Sequence, residues 1–283
     1  MAFIPPRDLT QQLNTLCIAK TRLTIPQLLI LGFLAGAYIG FAAHLATVIS
    51  TGSCAWFGAK KFLAGAVFSL GLMLVIIPGS ELWTGNTLMT ASLFEGDIRL
   101  GQMMKNWCIV YCGNLAGAAF LAWMIAGHSG LLDSPVGTTA LTIAVSKTTP
   151  AAGWFDHQIA YFIRGICCNW LVCLAVLLAL AAQDIAGKIL GIFFPIMAFV
   201  ASGFEHAIAN MYFIPAGIIA KNSAAAVQGT AFTLAQLDQL TPVTMWTNNL
   251  ISVSLGNLVG GGLFVASLYW WCFSRRQGRG EQE

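Results

Sequence analysis

Three ionisable side chains stand inside long apolar stretches of this 283-residue sequence. Residues 62–94 contain one charged residue, Glu81, and residues 188–220 contain, after their first residue, only the pair Glu205 and His206. Ionisable groups deep in an apolar segment are costly to bury, and by default they mark a functional site. Each stretch exceeds the ~20 residues of one bilayer crossing but is too short for two, so each predicts one broken crossing.

Helix breakers stand directly before each glutamate. The first break contains Pro78-Gly79-Ser80 and the second contains Ser202-Gly203, and such residues interrupt membrane helices where the chain is buried in protein or lines a cavity. Residues 79–86 and 203–210 also share Gly, Glu and Asn at identical spacing. The two breaks therefore predict equivalent places in an internal repeat.

The elements that position these breaks follow from the repeat. An asparagine stands seven residues before a Gly-Asn-Leu-x-Gly motif in 106–117 and again in 249–260. Three spans per repeat is an odd number, so the second repeat must enter the membrane from the opposite side. The sequence predicts an all-α membrane protein with six transmembrane helices in two inverted three-helix repeats, the second and fifth helices being broken. The predicted spans are 27–48, 62–94, 106–127, 159–183, 188–220 and 246–272.

The chemistry expected at the centre is anion binding with a proton. Half-helices point partial positive charge toward the membrane centre. Thr84 and His206 lie at the starts of the two half-helices, where they offer hydrogen-bond donors, and a histidine can change its protonation state near neutral pH. Glu81 and Glu205 are assigned a structural role, satisfying backbone N–H groups freed at the breaks, because exposed carboxylates would repel an anion.

The composition excludes most other classes. Hydrophobic residues make up 57% of the chain and charged residues 9%, against about a quarter charged in soluble domains. The eight cysteines show no metal-ligand spacing and are interpreted as packing residues. No nucleophile–base pair or cofactor loop supports an enzyme, so the sequence predicts neither an enzyme nor a cofactor nor a nucleic-acid partner. A redox-complex anchor is the rival from another class, and an absorption spectrum would test it.

Charge distribution orients the chain in the membrane. Nine basic residues fall on the side of the termini and four, Lys60, Lys61, Lys147 and Lys221, fall on the other. The positive-inside rule then places both termini in the cytoplasm, which for a prokaryote means a multi-pass protein of the inner membrane.

The chain divides into five segments. Residues 1–25 predict an amphipathic cytoplasmic helix with Leu9, Leu13 and Leu16 on one face, which is either a surface anchor or a gate. The remaining segments are the first repeat at 26–128, an extracytoplasmic connection at 129–156, the inverted repeat at 157–272 and a basic cytoplasmic tail at 273–283.

Four motifs in order resemble those of the formate/nitrite transporter family. They lie at 79–86, at 168–175, at 201–211, and at 248–250 running into 255–257. The resemblance covers about 27–271 and implies an aquaporin-like protomer in a homopentamer, lying in a lipid bilayer, with one pore per protomer. It also implies passage of formate, nitrite or hydrosulfide together with a proton.

The resemblance further assigns roles to individual residues. It places Thr84 and His206 at the central site, with Glu205 orienting the second break; Glu81 is the corresponding pore support at the first break. Asn169 resembles the family's vestibule asparagine and is assigned, with Asn249, to the support of the pore. The remaining assignments are Lys147 as an anion-attracting residue of the vestibule, and Phe68, Leu72, Leu82 and Phe199 as constrictions. Spacing alone favours a core role for those last four.

Substrate choice stays open between three anions. Trp83 stands where many family members have phenylalanine. Residues 168–175, which include Trp170, are more similar to nitrite channels, whereas 194–215 and 256–262 are more similar to formate channels. The sequence favours formate, with nitrite or hydrosulfide as the alternative.

Overall fold

The computed structural model describes residues 3–53, 56–150 and 153–274, and nearly all of them are helical. The last six residues of α6 and two stretches within α13 are π-helical. The helices are α1 Pro6–Thr21, α2 Ile25–Ser50, α3 Phe57–Ile76, α4 Trp83–Asn86, α5 Met89–Glu95, α6 Leu100–His128, α7 Pro135–Thr148, α8 Trp154–Ala181, α9 Ile185–Ala201, α10 Ala207–Ala220, α11 Ala224–Gln228, α12 Leu234–Asp238 and α13 Pro242–Phe273.

Among the described residues, five of these helices are long and apolar enough to cross a membrane. They are α2, α3, α6, α8 and α13, and the apolar helices α9 and α10 are shorter, at 17 and 14 residues. Large hydrophobic side chains such as Ile30, Trp56 and Phe194 are exposed on the surface. A surface of that kind suits lipid or another subunit and does not suit water.

The chain leaves the helical conformation at two glycines before the glutamates. Gly79, between α3 and α4, has φ +94°, and Gly203, between α9 and α10, has φ +75°. A Cβ atom makes this left-handed region costly, so glycine is the residue that turns the chain there. The two turns bring the start of α4 and the start of α10 into the interior.

Glycines also let two pairs of helices approach closely. A Cβ added at Gly113 of α6 would lie 3.1 Å from the Cα of Gly32 in α2, and one at Gly256 of α13 would lie 3.0 Å from the Cα of Gly165 in α8. Contacts that short leave no room for a side chain, as in other small-residue helix pairs of membranes. Each pair fixes the backbone next to one of the two breaks.

The N-terminal helix α1 packs against the bundle through a face that differs from the predicted one. Leu9, Leu13 and Cys17 are buried, whereas Leu16 is 40% exposed. The buried residues follow spacing of four, so the contact stripe runs through Cys17 and leaves Leu16 outside. Asn14 of α1 donates a hydrogen bond to Asp97, which tethers the helix to the turn after α5.

The thiol of Cys17 provides a test of this docked position. Burial raises the pKa of the Cys17 thiol to about 11, so at pH 8 only about one thiol in a thousand is the reactive thiolate. In a protein whose other cysteines are replaced, we expect Cys17 to react with a maleimide far more slowly than a cysteine introduced by Leu16→Cys in a Cys17→Ser background. Equal labelling rates at the two positions would show that α1 does not hold this face against the bundle.

The connection at 129–156 contains a helix, α7, that the sequence analysis does not predict. Helix α7 begins where Ser134 accepts a hydrogen bond from the Val136 N–H, with Pro135 in the first helical position. Serine and proline at those positions are a recognised start signal. Lys147 therefore lies in the last turn of a helix. The predicted basic tail lies outside the described residues from position 275 onward.

Candidate functional site

Thr84 and His206 meet at the centre of the molecule. The Oγ1 atom of Thr84 lies 3.0 Å from Nε2 of His206, and their exposures are 0% and 3%. His206 is the N-cap of α10, and its Nδ1 accepts a hydrogen bond from the Ala209 N–H at 3.1 Å. Since an N–H can only donate, Nδ1 carries no proton, and the proton of the neutral ring lies on Nε2. The ring therefore donates to Thr84 Oγ1.

The backbone carbonyl of Thr84 accepts hydrogen bonds from three donors, which fix the short helix α4. Thr87 Oγ1 donates to it at 2.6 Å, Asn169 Nδ2 at 3.1 Å and Cys173 Sγ at 3.6 Å. Asn169 also donates to the carbonyl of Asn257 at 2.7 Å and is completely buried. The structure thus places Asn169 behind Thr84, where its amide holds the backbone that presents the hydroxyl.

Two asparagines satisfy the backbone at the breaks, in matching ways. Asn114 accepts from the Trp83 N–H at 2.9 Å and donates to the carbonyls of Gly32 and Glu81 at 2.8 and 2.9 Å. In the other half, Asn257 accepts from the Ala207 N–H at 2.9 Å and donates to the carbonyls of Gly165 and Glu205 at 2.8 and 2.9 Å. An unpaired buried backbone group is costly, so these two amides satisfy the backbone where α4 and α10 begin in the interior.

The carboxylates take part in side-chain contacts. Lys147 Nζ lies 2.8 Å from both oxygens of Glu205, and Asn210 Nδ2 donates to Glu205 Oε2 at 2.7 Å. The Asn210 amide also donates to Asn249 Oδ1 at 2.7 Å, and Asn249 Nδ2 donates to the Lys147 carbonyl at 3.1 Å. These contacts form a closed ring, which fixes both the backbone and the ammonium group of Lys147.

The first half builds the same contacts but does not close the ring. Lys20 Nζ lies 2.6 Å from Glu81 Oε1, Asn86 Nδ2 donates to Glu81 Oε2 at 2.7 Å, and the same amide donates to Asn106 Oδ1 at 2.8 Å. Asn106 Nδ2 is buried and has no partner among the described residues. The chain of contacts therefore ends at Asn106, and Lys20 of α1 occupies the place that Lys147 of α7 has in the other half.

Two separate cavities lie next to the Thr84–His206 contact, one lined by His206 and the other by Leu82 and Gly85. The α7 cavity, of about 560 Å³, is lined by Lys147, Phe68, Phe199 and His206 among others. The α1 cavity, of about 510 Å³, is lined by Lys20, Leu72 and Leu82 among others. Each cavity contains one lysine paired with a glutamate and one pair of the predicted constriction residues.

The predicted constriction residues are all buried, with exposures of 2–3%. The rings of Phe68 and Phe199 meet edge to face with centroids 5.7 Å apart, and the Phe199 ring stacks on the His206 ring at 5.9 Å. Phe68 and Phe199 therefore line the α7 cavity beside the histidine, while Leu72 and Leu82 line the other cavity. A charged solute at these apolar contacts loses its hydration.

Lys20, Asn114 and Asn257 are site residues that sequence reasoning missed. Both asparagines stood inside the recognised repeat motif, but no pattern showed that their amides would hold the breaks. In the sequence, Lys20 is only one of the positive charges near the N-terminus. Because α1 lies outside the repeated segments, the repeat could not relate Lys20 to Lys147. The matched lysine–glutamate contacts become visible only when the two halves are compared in space.

The fold and this site define a helical membrane transport protein. The family model for "Formate/nitrite transporter" matches residues 7–271. A probable formate transporter of Methanothermobacter thermautotrophicus is 41% identical, over 96% of this chain and 98% of that protein. The formate channel FocA of Escherichia coli K12 is 35% identical, over 87% of this chain and 86% of that protein.

A solved structure described as a pentameric formate channel with formate bound also matches. Its TM-score is 0.74 at 35% identity, and the match covers 88% of this chain and 97% of that one. The chain belongs to the formate/nitrite transporter family, as the resemblance of its motifs predicted. Its relatives are named as channels or transporters and not as enzymes.

Proposed function

We propose that the protein is a transmembrane channel for small monovalent anions, with formate preferred and proton-linked passage at Thr84 and His206. The observation that carries the proposal is the 3.0 Å contact between Thr84 Oγ1 and His206 Nε2, flanked by a cavity on each side. Relatives that are named for formate support the choice of substrate. Nitrite or hydrosulfide is the alternative within the same family.

The matched contacts at the two breaks support an inverted-repeat, aquaporin-like architecture. Counting the broken crossing that contains α9 and α10 as one span gives six spans with both termini on one side. The positive-inside rule puts the termini in the cytoplasm. In that orientation the α1 cavity faces the cytoplasm and the α7 cavity faces the outside. The lysine–glutamate pairs then face the two sides of a prokaryotic inner membrane.

Passage through the site follows from the available donors. Formate between Thr84 and His206 accepts hydrogen bonds from the hydroxyl and from the Nε2–H group. A second proton can enter the ring only at Nδ1, which then gives up the hydrogen bond from the Ala209 N–H. Transfer of the Nε2 proton to formate then leaves neutral imidazole and formic acid. The neutral acid crosses the apolar contacts at lower cost than the anion, because it does not have to lose the hydration of a full charge.

The test is a flux panel with the purified protein in proteoliposomes. Formate, nitrite and hydrosulfide are compared between pH 5 and pH 8, and protein-free liposomes measure leakage of the neutral acids. We expect formate to pass fastest and its protein-dependent flux to increase as the pH falls. Absence of formate flux, or formate flux that does not vary with pH, contradicts the corresponding part of the proposal.

Lys147 is expected to support anion capture. Lys147→Ala leaves the Glu205 carboxylate without its cation in the cavity, and that charge repels an anion. We expect the half-saturating formate concentration to rise about tenfold, with a smaller effect on flux at saturation. The double variant Lys147→Ala/Glu205→Gln is the control, because it removes both charges and should recover part of the affinity. Unchanged flux at low formate in Lys147→Ala would count against this role.

A homopentamer is the proposed assembly, supported by the pentameric channel among the structural matches. The exposed apolar surface of the single chain also suits subunit contacts. Native mass spectrometry from detergent should give about five times the 30.2 kDa of one chain. A monomeric mass under conditions that preserve flux would contradict the assembly.

A further inference from the structure

One arginine in a spanning helix has no place in the site described so far. Arg164 is the eleventh residue of α8, which puts it about 15 Å along that helix. Its side chain is exposed, and it lines the α7 cavity. A guanidinium group at that depth is costly against lipid, and it is tolerated where it faces a water-filled cavity.

The charge of Arg164 is not neutralised by an acid. Among the described residues only two lysine–glutamate salt bridges form, and Arg164 takes part in neither. Lys147, in contrast, is bound to both oxygens of Glu205. Of the two cations closest in structure to Glu205, Lys147 thus has its charge compensated and Arg164 does not. Lys60 and Lys61, at the start of α3, also line this cavity.

The tyrosine beside it holds this guanidinium near Lys147. The Cζ atom of Arg164 lies 5.2 Å from the centre of the Tyr161 ring, within the range of a cation–π contact. The Tyr161 hydroxyl donates to the carbonyl of Ser146 at 2.7 Å. Arg164 is thus linked through Tyr161 to the last turn of α7, one residue from Lys147.

Comparison of the two halves shows that the fold does not require an arginine here. The carbonyl of Arg164 accepts from the Glu205 N–H at 3.3 Å, and the carbonyl of Leu31 accepts from the Glu81 N–H at the same 3.3 Å. Leu31 also lines the α1 cavity, as Arg164 lines the α7 cavity. The backbone carbonyl makes the same hydrogen bond at both positions. The guanidinium group is therefore not needed for that bond, and only the α7 cavity has one at this position.

We propose that Arg164 is an anion-binding residue of the α7 cavity that receives the two oxygens of an incoming carboxylate or oxoanion. The planar guanidinium fork matches two-oxygen anions such as formate and nitrite and gives no such match to hydrosulfide. Arg164 raises the affinity for formate arriving from this side and favours it over hydrosulfide. This inference rests on the proposed function and adds a selectivity step before Lys147.

The test compares three variants in cells that lack other formate channels, with entry of formate, nitrite and hydrosulfide measured over a range of concentrations. Arg164→Leu introduces the residue of the matching position, and Arg164→Lys keeps the charge without the fork. Lys61→Leu removes a cation from another part of the same cavity, which Lys61 also lines. Detection of each variant in the membrane fraction controls for folding.

We expect Arg164→Leu to raise the half-saturating formate concentration about tenfold and Arg164→Lys about threefold, with a change under about twofold in Lys61→Leu. The half-saturating nitrite concentrations should rise by about the same factors as those for formate. The half-saturating hydrosulfide concentration should change by the same factor in Arg164→Leu and Lys61→Leu, because each variant takes away only the attraction of one positive charge.

Two results overturn the assignment. One is a half-saturating formate concentration that is the same in Arg164→Leu and Lys61→Leu. The other is a change of the same factor for formate and for hydrosulfide in Arg164→Leu. If Arg164→Leu does not reach the membrane, Arg164→Lys decides, since unchanged preference for formate over hydrosulfide in that variant also overturns it. Absence of formate entry in the wild type overturns the proposed function instead. Wild-type entry without an arginine effect overturns only the role of Arg164.

Discussion

His206→Asn is expected to abolish the pH dependence of formate flux while leaving the protein folded. Asparagine is among the best N-cap residues, so its side-chain oxygen can replace Nδ1 as acceptor for the Ala209 N–H. It has no proton to gain or lose in this range. We expect protein-dependent flux at pH 6 to fall about tenfold or more and the profile between pH 5 and pH 8 to become flat.

His44→Asn is the matched control for this experiment. His44 is a half-buried histidine of α2, and its ring lies 6.4 Å from that of Tyr212. Its replacement should leave the pH profile of the wild type in place. A wild-type profile in His206→Asn would exclude the proton role of His206, and a flat profile in His44→Asn would show that the loss is not specific to the central ring.

Asn257→Leu is expected to cause one of the two largest losses of stability among single substitutions at the site. The change removes one acceptor and two donors that serve buried backbone groups at the second break. Leaving those groups unpaired costs about 3 kcal/mol or more, which corresponds to a Tm lower by about 10 °C in a domain of this size. Thermal unfolding in detergent, followed by circular dichroism, measures the change.

Two other asparagines show whether that loss comes from the break. Asn114 makes the equivalent three bonds at the first break, so Asn114→Leu should lower the Tm by a similar amount. Asn222 is exposed in the turn after α10, and Asn222→Leu should leave the Tm within a few degrees. A Tm for Asn257→Leu close to that of Asn222→Leu would contradict the role of these amides.

The sequence alone was sufficient for the family and for the pairing of Thr84 with His206 as candidates. A histidine and a glutamate in an apolar stretch with a breaker are unusual enough to identify the second break. The Gly-x-Glu spacing then identifies the first break, because the two segments share it. These inferences needed only local composition and a comparison of the chain with itself.

What could not be predicted depends on contacts between segments far apart in the chain. Glu81 contacts Lys20, 61 residues away, and no periodicity relates those positions. The assignment of the glutamates to freed backbone N–H groups was reasonable from their position. In the structure, Asn114 and Asn257 accept from backbone N–H groups at the two breaks. The carboxylates instead accept from lysine and asparagine side chains. Helix α7 was not predicted, because the interpretation of this segment rested on hydropathy and did not use the start signal Ser134-Pro135.

The matching backbone bonds at the two breaks bear on how such a protein can evolve. Asn114 and Asn257 hold main-chain atoms and leave the side chains that follow each glutamate, Leu82 and His206, unconstrained by those bonds. Either position can mutate while its half of the scaffold still folds. Natural selection can thus retain one copy for packing and recruit the other for proton chemistry, and new specificities are expected to arise at 82 and 206 while both asparagines remain fixed.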